Sequence, residues 1–276
     1  MKLTYFGTAA AEGMPAVFCN CAYCKEARAL GGKNIRTRSQ ALVGDDLLID
    51  FPADTYFHFL QNGVEGDRIK YLLITHSHPD HFYPEQTELR KSPFAHEMRE
   101  PALELFCGEG AFEKLKSVPV SPSVRCHPMT AYQPYRLGGY TVIPLPARHH
   151  QGDGAFIYII RDSEGTSLLY AHDTGYFYDE VLGYIEKEGF RFDCVSYDCT
   201  TVDIPISDRG GHMGLDNIRR LHARLEAMGA VDGHTVEIIN HFSHNARPLQ
   251  HVLEEKVRED GFLVAYGGMK TEFFSS

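Results

Sequence analysis

Apolar residues along the chain fall mostly into short runs of four to seven, several of them alternating with polar positions, and only a few stretches carry helical spacing. Residues 1–7 alternate as a half-buried strand. Further strands are predicted at 40–43 and 46–50, joined by a hairpin-like turn at Gly44-Asp45, then at 71–74, 103–107, 124–127, 140–145, 156–160, 167–171, 192–196, 235–240 and 262–265. Helical patterning covers 25–30, 54–60 (after Pro52, tolerated in a first turn), 109–116, 178–187, 215–228 and 249–259. Segment 82–101 is charged, aromatic and bounded by prolines, the pattern of an active-site flap or partner-binding insertion and equally of a solvated helix. No repeat, low-complexity stretch or linker interrupts the chain, so a single domain over 1–276 is expected. Two strand-rich halves, each bearing helices, predict two packed sheets with helices outside: an α/β (α+β) four-layer αββα sandwich.

A hydrophobic content of 43% in 276 residues lets the chain bury a substantial core. It has no apolar run long enough to span a bilayer and no signal-peptide core at residues 1–7, which predicts a cytoplasmic protein without a membrane partner. The net charge of −10 argues against a surface that gathers nucleic-acid phosphates, although a local basic pocket stays compatible with it. Seven cysteines is an odd number, and Cys19, Cys21 and Cys24 form a C-x-C-x-x-C cluster. That spacing suits thiolate metal ligation in a reducing compartment better than a disulfide framework. Cys107, Cys126, Cys194 and Cys199 fall in or near apolar strands and are expected to be packing residues.

The densest chemistry is Thr75-His76-Ser77-His78-Pro79-Asp80-His81, directly after the apolar run Tyr71-Leu72-Leu73-Ile74. A strand ending in H-x-H-x-D-H presents its ligand atoms together at a sheet edge, and neutral imidazole with carboxylate suits zinc, manganese or iron. A histidine-rich polar loop is the plainer reading in a chain with 15 histidines. Three other apolar strands also end in candidate donors: 140–148 leads to His149, 167–171 to His172-Asp173, and 236–240 to His241, with His244 three residues on. Each alone would be an ordinary strand-end histidine. The shared order, strand and then donor, places all of them at one edge of the sheets.

The succession H-x-H-x-D-H, His, Asp in Ala171-His172-Asp173-Thr174-Gly175 and His in Asn240-His241-Phe242-Ser243-His244 resembles the metallo-β-lactamase superfamily over nearly the whole chain. The resemblance implies that His76, His78 and His149 hold one metal, that Asp80, His81 and His241 hold a second, and that Asp173 bridges them. Asp80 is counted with the catalytic residues as well. His150 competes with His149, and the family's Pro-rich strand followed by one residue and then His favours His149; His172 is left to packing or outer support. The cysteine motif after a Gly-Thr turn is similar to the PhnP-type phosphodiesterases. There three cysteines and a distal histidine, here Cys19, Cys21, Cys24 and His244, close a structural zinc that would pin the first loop beside the strand carrying His241.

In the Gly-rich loop 208–214, His212 matches the histidine with which these enzymes and the related tRNA 3′-processing nucleases protonate or hold the leaving oxygen. A helix-capping role is its alternative. Arg209 could bind a substrate phosphate through its guanidinium fork, although loop arginines are usually just solvated. The resemblance therefore implies two catalytic divalent ions (zinc or manganese, with iron also suitable) and one structural zinc. They would serve hydrolysis of small phosphodiesters, cyclic ribose or nucleotide phosphodiesters included, by a hydroxide shared between the two metals. A homodimer is left open. The stretch Phe82-Tyr83-Pro84-Glu85 departs from the family's usual continuation, which bears on specificity. Competing readings are a tRNA 3′-processing nuclease or thioester hydrolase on the same fold, and a non-hydrolytic accessory protein like the PqqB proteins.

Overall fold

Period-two alternation places successive strand residues on opposite sheet faces, and here both faces are buried. In β3 (Leu47–Ile49), Leu47 and Ile49 enter the core between the sheets while Leu48 packs outward. In β10 (Ser167–Ala171), Leu168 and Tyr170 point inward while Leu169 and Ala171 meet the helices. The computed structural model describes residues 1–150 and 152–275. Among them the first sheet runs β14 (Lys270–Glu272), β1 (Lys2–Gly7), β2 (Gln40–Val43), β3, β4 (Tyr71–Ile74), β5 (Leu103–Cys107), β6 (Val124–Pro128). The second runs β13 (Leu263–Val264), β12 (Val236–Asn240), β11 (Cys194–Asp198), β10, β9 (Phe156–Arg161), β8 (Tyr140–Pro146), β7 (Tyr135–Leu137).

Strands β3 to β6 are mutually parallel, as are β10 to β13. Parallel neighbours share one carboxyl edge, where open α/β sheets place their ligands. Outside the first sheet lie α2 (Thr55–Asn62) and α3 (Glu109–Lys116), which contribute Phe59, Ala111 and Leu115 to the outer core. Outside the second lie α4 (Asp179–Glu188), α5 (Leu215–Ala227) and α6 (Gln250–Lys256), burying Val181, Ile185, Leu221 and Leu253. The result is the four-layer αββα sandwich. The loop carrying the cysteine cluster and α1 (Ala22–Leu30) form a small separate core of Met14, Ala16, Cys24, Ala27 and Leu249.

Three local readings are corrected. Strands β7 and β14 were not legible, because each is a three-residue edge strand too short to show a period, and β14 carries no apolar residue. The strand expected at 192–196 forms at Cys194–Asp198, since Phe192 packs against the helices instead; this puts Asp198 at a strand end. Segment 82–101 forms no α-helix; its regular part is a 3₁₀ turn at Pro84–Leu89. Its polar contacts go to Pro52, Ala53, Glu65, Asp67, Ser121 and Ser123. Among the described residues, no helix is long and apolar enough to cross a membrane.

Candidate metal centre

At the carboxyl edge the chain leaves several strands in left-handed backbone on residues that are not glycine: Asp50 after β3 (φ 66°), Asp173 after β10 (φ 51°) and His241 after β12 (φ 62°). Such conformations cost on the order of 1–3 kcal/mol each and persist where the surroundings over-determine them. Here each turns a polar side chain into the same buried space.

One donor atom from each of His76, His78 and His149 lies within 4.8 Å of the others, and the same holds for Asp80, His81, Asp173 and His241. His78 Nδ1 is 3.2 Å from His149 Nε2, and His81 Nε2 is 3.3 Å from His241 Nε2. The Asp173 carboxylate stands between the two groups. Its Oδ2 lies 3.6 Å from His76 Nε2 and 3.1 Å from His241 Nε2, and it also contacts His81 Nε2. Its Oδ1 lies 3.8 Å from His149 Nε2 and 3.3 Å from His212 Nδ1. His149 is thus the histidine of the His149-His150 pair that enters the cluster; His150 is exposed, its ring centroid 5.4 Å from that of His78.

Imidazole orientation is set from behind. His81 Nδ1 donates to Asp50 Oδ2 at 2.6 Å, and Asp50 Oδ1 also accepts from the Thr75 amide at 2.8 Å. His149 Nδ1 donates to Gly211 O at 3.0 Å, and His241 Nδ1 sits 2.8 Å from Thr200 Oγ1. These contacts leave Nε2 of each ring facing the centre, and such outer partners raise ligand basicity. Helix α3 secures the 77–82 loop. Lys114 Nζ donates to Ser77 O and Phe82 O, both at 2.6 Å, while the Ser77 amide donates to Asp153 Oδ2 at 2.8 Å. Asp153 rests on Gly110, where a Cβ would come within 1.8 Å of its Oδ1, so only glycine fits.

Burial and the neighbouring His81 hold His76 well below the usual histidine pKa, and burial with His149 lowers His78. Burial also opposes charge on His81, but the carboxylates of Asp173, Asp50 and Asp80 outweigh it and hold its pKa high. His212 is likewise opposed by burial and is pushed up to about 9 by Asp198. Asp198 is fully buried; its Oδ2 accepts from His212 Nδ1 at 3.1 Å and its Oδ1 from the amides of Thr200 and Met213, each at 3.0 Å.

The donor set fits divalent cations. His76 Nε2 and Asp173 Oδ2 are buried without hydrogen-bond partners, and Nε2 of His81 faces Nε2 of His241 with both Nδ1 atoms already engaged. Neutral imidazole and carboxylate in this arrangement lack only positive charge between them.

A second group lies apart from the first. Cys19, Cys21, Cys24 and His244 bring their ligand atoms within 4.8 Å, with Cys24 Sγ 3.6 Å from His244 Nδ1. The Cys24 amide donates to Cys21 Sγ and lowers that thiol to about 6, so the exposed Cys21 favours the thiolate that zinc needs. Three sulfurs and an imidazole make a closed tetrahedral set. Glu12 ties this loop to the strand end by accepting from Ser243 Oγ at 2.5 Å and the His244 amide at 3.1 Å. Arg36, buried beneath, bonds Thr8, Gln250 and the carbonyls of Pro248 and Ala265.

The remaining residues read from the sequence separate. His172 is a packing residue: fully buried, its Nε2 lies 2.6 Å from Ser196 Oγ, which in turn lies 2.6 Å from Tyr5 OH. Arg209 is exposed, and its guanidinium makes no ion pair among the described residues. Cys107, Cys194 and Cys199 are buried, and Cys126 packs against the outer core. Asp50, Asp198, Asp153 and Lys114 were missed. The first two carry the same signal that singled out Asp173, a carboxylate closing an apolar strand; the other two carry none.

Residues 49–235 match the family model of the β-lactamase superfamily domain. No curated protein matches the chain by sequence. Among solved structures, it is similar to a diphosphatase from the PhnP family, with a TM-score of 0.74 and 23% identity over 99% of this chain and 98% of that one. Zinc-bound PqqB from Methylobacterium extorquens superposes with a TM-score of 0.70 at 16% identity, covering 99% and 100% of the two chains. The short form of human tRNase Z gives 0.66 at 15% identity over the full length of both.

Proposed function

The chain belongs to the β-lactamase superfamily domain family, and from that premise we propose that it is a metal-dependent hydrolase of small phosphodiesters. One observation carries this reading: Asp173 stands between the His76-His78-His149 and Asp80-His81-His241 groups, with His212, backed by Asp198, 3.3 Å from its Oδ1.

His76, His78 and His149 would hold one divalent cation and Asp80, His81 and His241 a second, with Asp173 reaching both; zinc, manganese and iron all suit the set. Bound there, the pair supplies Lewis-acid charge for a phosphoryl group and an activated water. The protein's own groups do the rest. Asp50 and Gly211 O hold His81 and His149 in the tautomer whose Nε2 faces inward. His212, with Nδ1 committed to Asp198, keeps Nε2 to give a proton to the departing alkoxide. The P–O bond to the leaving group breaks, water's oxygen joins phosphorus, and the products are a phosphomonoester and an alcohol. Cys19, Cys21, Cys24 and His244 would hold one zinc with no open position, a structural role.

The likeness to a PhnP-family diphosphatase supports a phosphoryl substrate. The net charge of −10 weighs against a long polyanion such as tRNA. Completeness of both donor groups weighs against a purely accessory, PqqB-like role.

The test is turnover by zinc- or manganese-loaded protein of an aryl phosphodiester, a panel of 2′,3′-cyclic nucleotides, a thioester and a precursor tRNA. Hydrolysis of the small diesters is expected. Cleavage of the thioester alone, or ligand binding without any turnover, would overturn the proposal.

A further inference from the structure

A pocket of about 260 Å³ opens on the outer face of the first sheet, between α2 and the 84–98 segment. Its walls are apolar: Leu48, Phe59 and Leu72 form the floor, with Leu89, Ala95 and Met98 facing them from the segment. The threonine hydroxyls that reach it are occupied elsewhere, Thr55 Oγ1 donating to Pro52 O at 2.7 Å and Thr87 Oγ1 to Pro84 O at 2.6 Å. At the mouth, Tyr56 and Leu89 are 75% and 50% exposed, large apolar surfaces left in water beside an apolar cavity.

Two charged side chains line this space, Arg90 and Asp67. Arg90 lines the pocket, and its backbone is fixed where its carbonyl accepts from Ser121 Oγ at 2.5 Å and Ser123 Oγ at 2.8 Å. Its guanidinium donates to Met98 Sδ at 2.9 Å and Glu100 O at 2.7 Å, both uncharged acceptors. Arg90 takes part in no ion pair among the described residues. The two acids near it are spent on other cations: Asp67 binds Arg99 through both oxygens, and Glu100 pairs with Lys70 at 3.4 Å. A guanidinium has five N–H donors, so Arg90 keeps donors free; partial burial disfavours its charge, and the carboxylates of Asp67 and Glu100 offset that only in part.

We propose that this pocket binds an amphiphilic monocarboxylate, its apolar chain inside and its head on Arg90. A single negative head matches Arg90, which lines the pocket without an ion pair among the described residues. An apolar cavity of about 150 Å³ takes up the six carbons of benzene, so the space accommodates a chain of about eight carbons. The floor residue Phe51 donates its amide to His81 O at 2.7 Å, so the ligand would sit one residue layer behind the metal loop.

Titration of metal-loaded protein with octanoate, and separately with 1-octanol, by calorimetry tests this. Octanoate should bind at one site per chain and at least tenfold more tightly than octanol, the discrimination a charge-assisted head-group contact provides. Arg90→Gln should remove that preference while leaving metal content unchanged. Ala95→Phe, which fills the pocket from the segment side, should abolish binding of both ligands. Equal affinity of the wild type for the two, or octanoate binding unaltered in Arg90→Gln, would overturn the proposal. So would sedimentation of the wild type as a dimer that Ala95→Phe dissociates, which would give the pocket to a second copy.

Discussion

Replacing Lys114 by methionine tests whether the metal loop is held from α3. The ammonium spans the loop at both ends, at 2.6 Å from each of Ser77 O and Phe82 O, and its stem runs beside the Phe82 ring with Nζ 5.8 Å from the centroid. Methionine keeps the stem and deletes the charge. A hydrogen bond to a charged group contributes about 1.5–3 kcal/mol. Two would give up to about 6, but Lys114 is only half-buried, water replaces part of what is lost, and a net loosening of about 2–3 kcal/mol is expected. Every 1.4 kcal/mol is tenfold, so cation affinity at the histidine cluster should fall roughly 30- to 140-fold, around the upper end of the range seen for outer-shell partners. Chelator competition for zinc or cobalt reads this directly, with zinc loaded at the cysteine group as internal control and Lys114→Arg as the partial rescue. Unchanged affinity at the histidine cluster in a folded Lys114→Met protein, or equal weakening at the cysteine site, would refute the clamp.

Asp173→Ala should lose cation from the histidine cluster and all activity, whereas His212→Ala should retain its metal and lose about 10²- to 10⁴-fold in kcat; metal analysis beside kinetics separates the two. Cys24→Ser should release one zinc equivalent and lower the melting temperature while leaving the donors of the histidine cluster intact, as metal analysis before and after dialysis would show. His58 is fully buried, with Nδ1 2.6 Å from Gln40 Oε1 and Nε2 2.7 Å from Thr37 Oγ1, and burial lowers its pKa to about 4. The fold therefore binds it neutral. Its contribution is complete above the unfolded value near 6.5 and is lost as pH falls from there towards 4, at most on the order of 3 kcal/mol. Urea unfolding between pH 7 and 4 should show this slope, flattened in His58→Gln.

The donors of both metal groups were legible because each sits at the end of a short apolar strand or in a tight motif, and those are local properties of the chain. Alternation with period two announced buried strands, and H-x-H-x-D-H and C-x-C-x-x-C announced clusters of candidate donors, before any contact was known. Asp50 and Asp198 closed apolar strands in the same way and could have been found. What local pattern could not carry is which donors meet. His78 reaches His149, Asp50 reaches His81 and Asp198 reaches His212 only because parallel strand order and register bring distant chain ends to one edge. His149 rather than His150 joins the donor group of His76 and His78 because its donor atom lies within 4.8 Å of theirs. The same holds for Lys114, an ordinary helix lysine by spacing, and for the Arg90 pocket, whose walls come from a helix and a segment nearly thirty residues apart. Sequence separation says nothing about which surfaces face each other; that is decided when packing of the two sheets and their helices selects one arrangement.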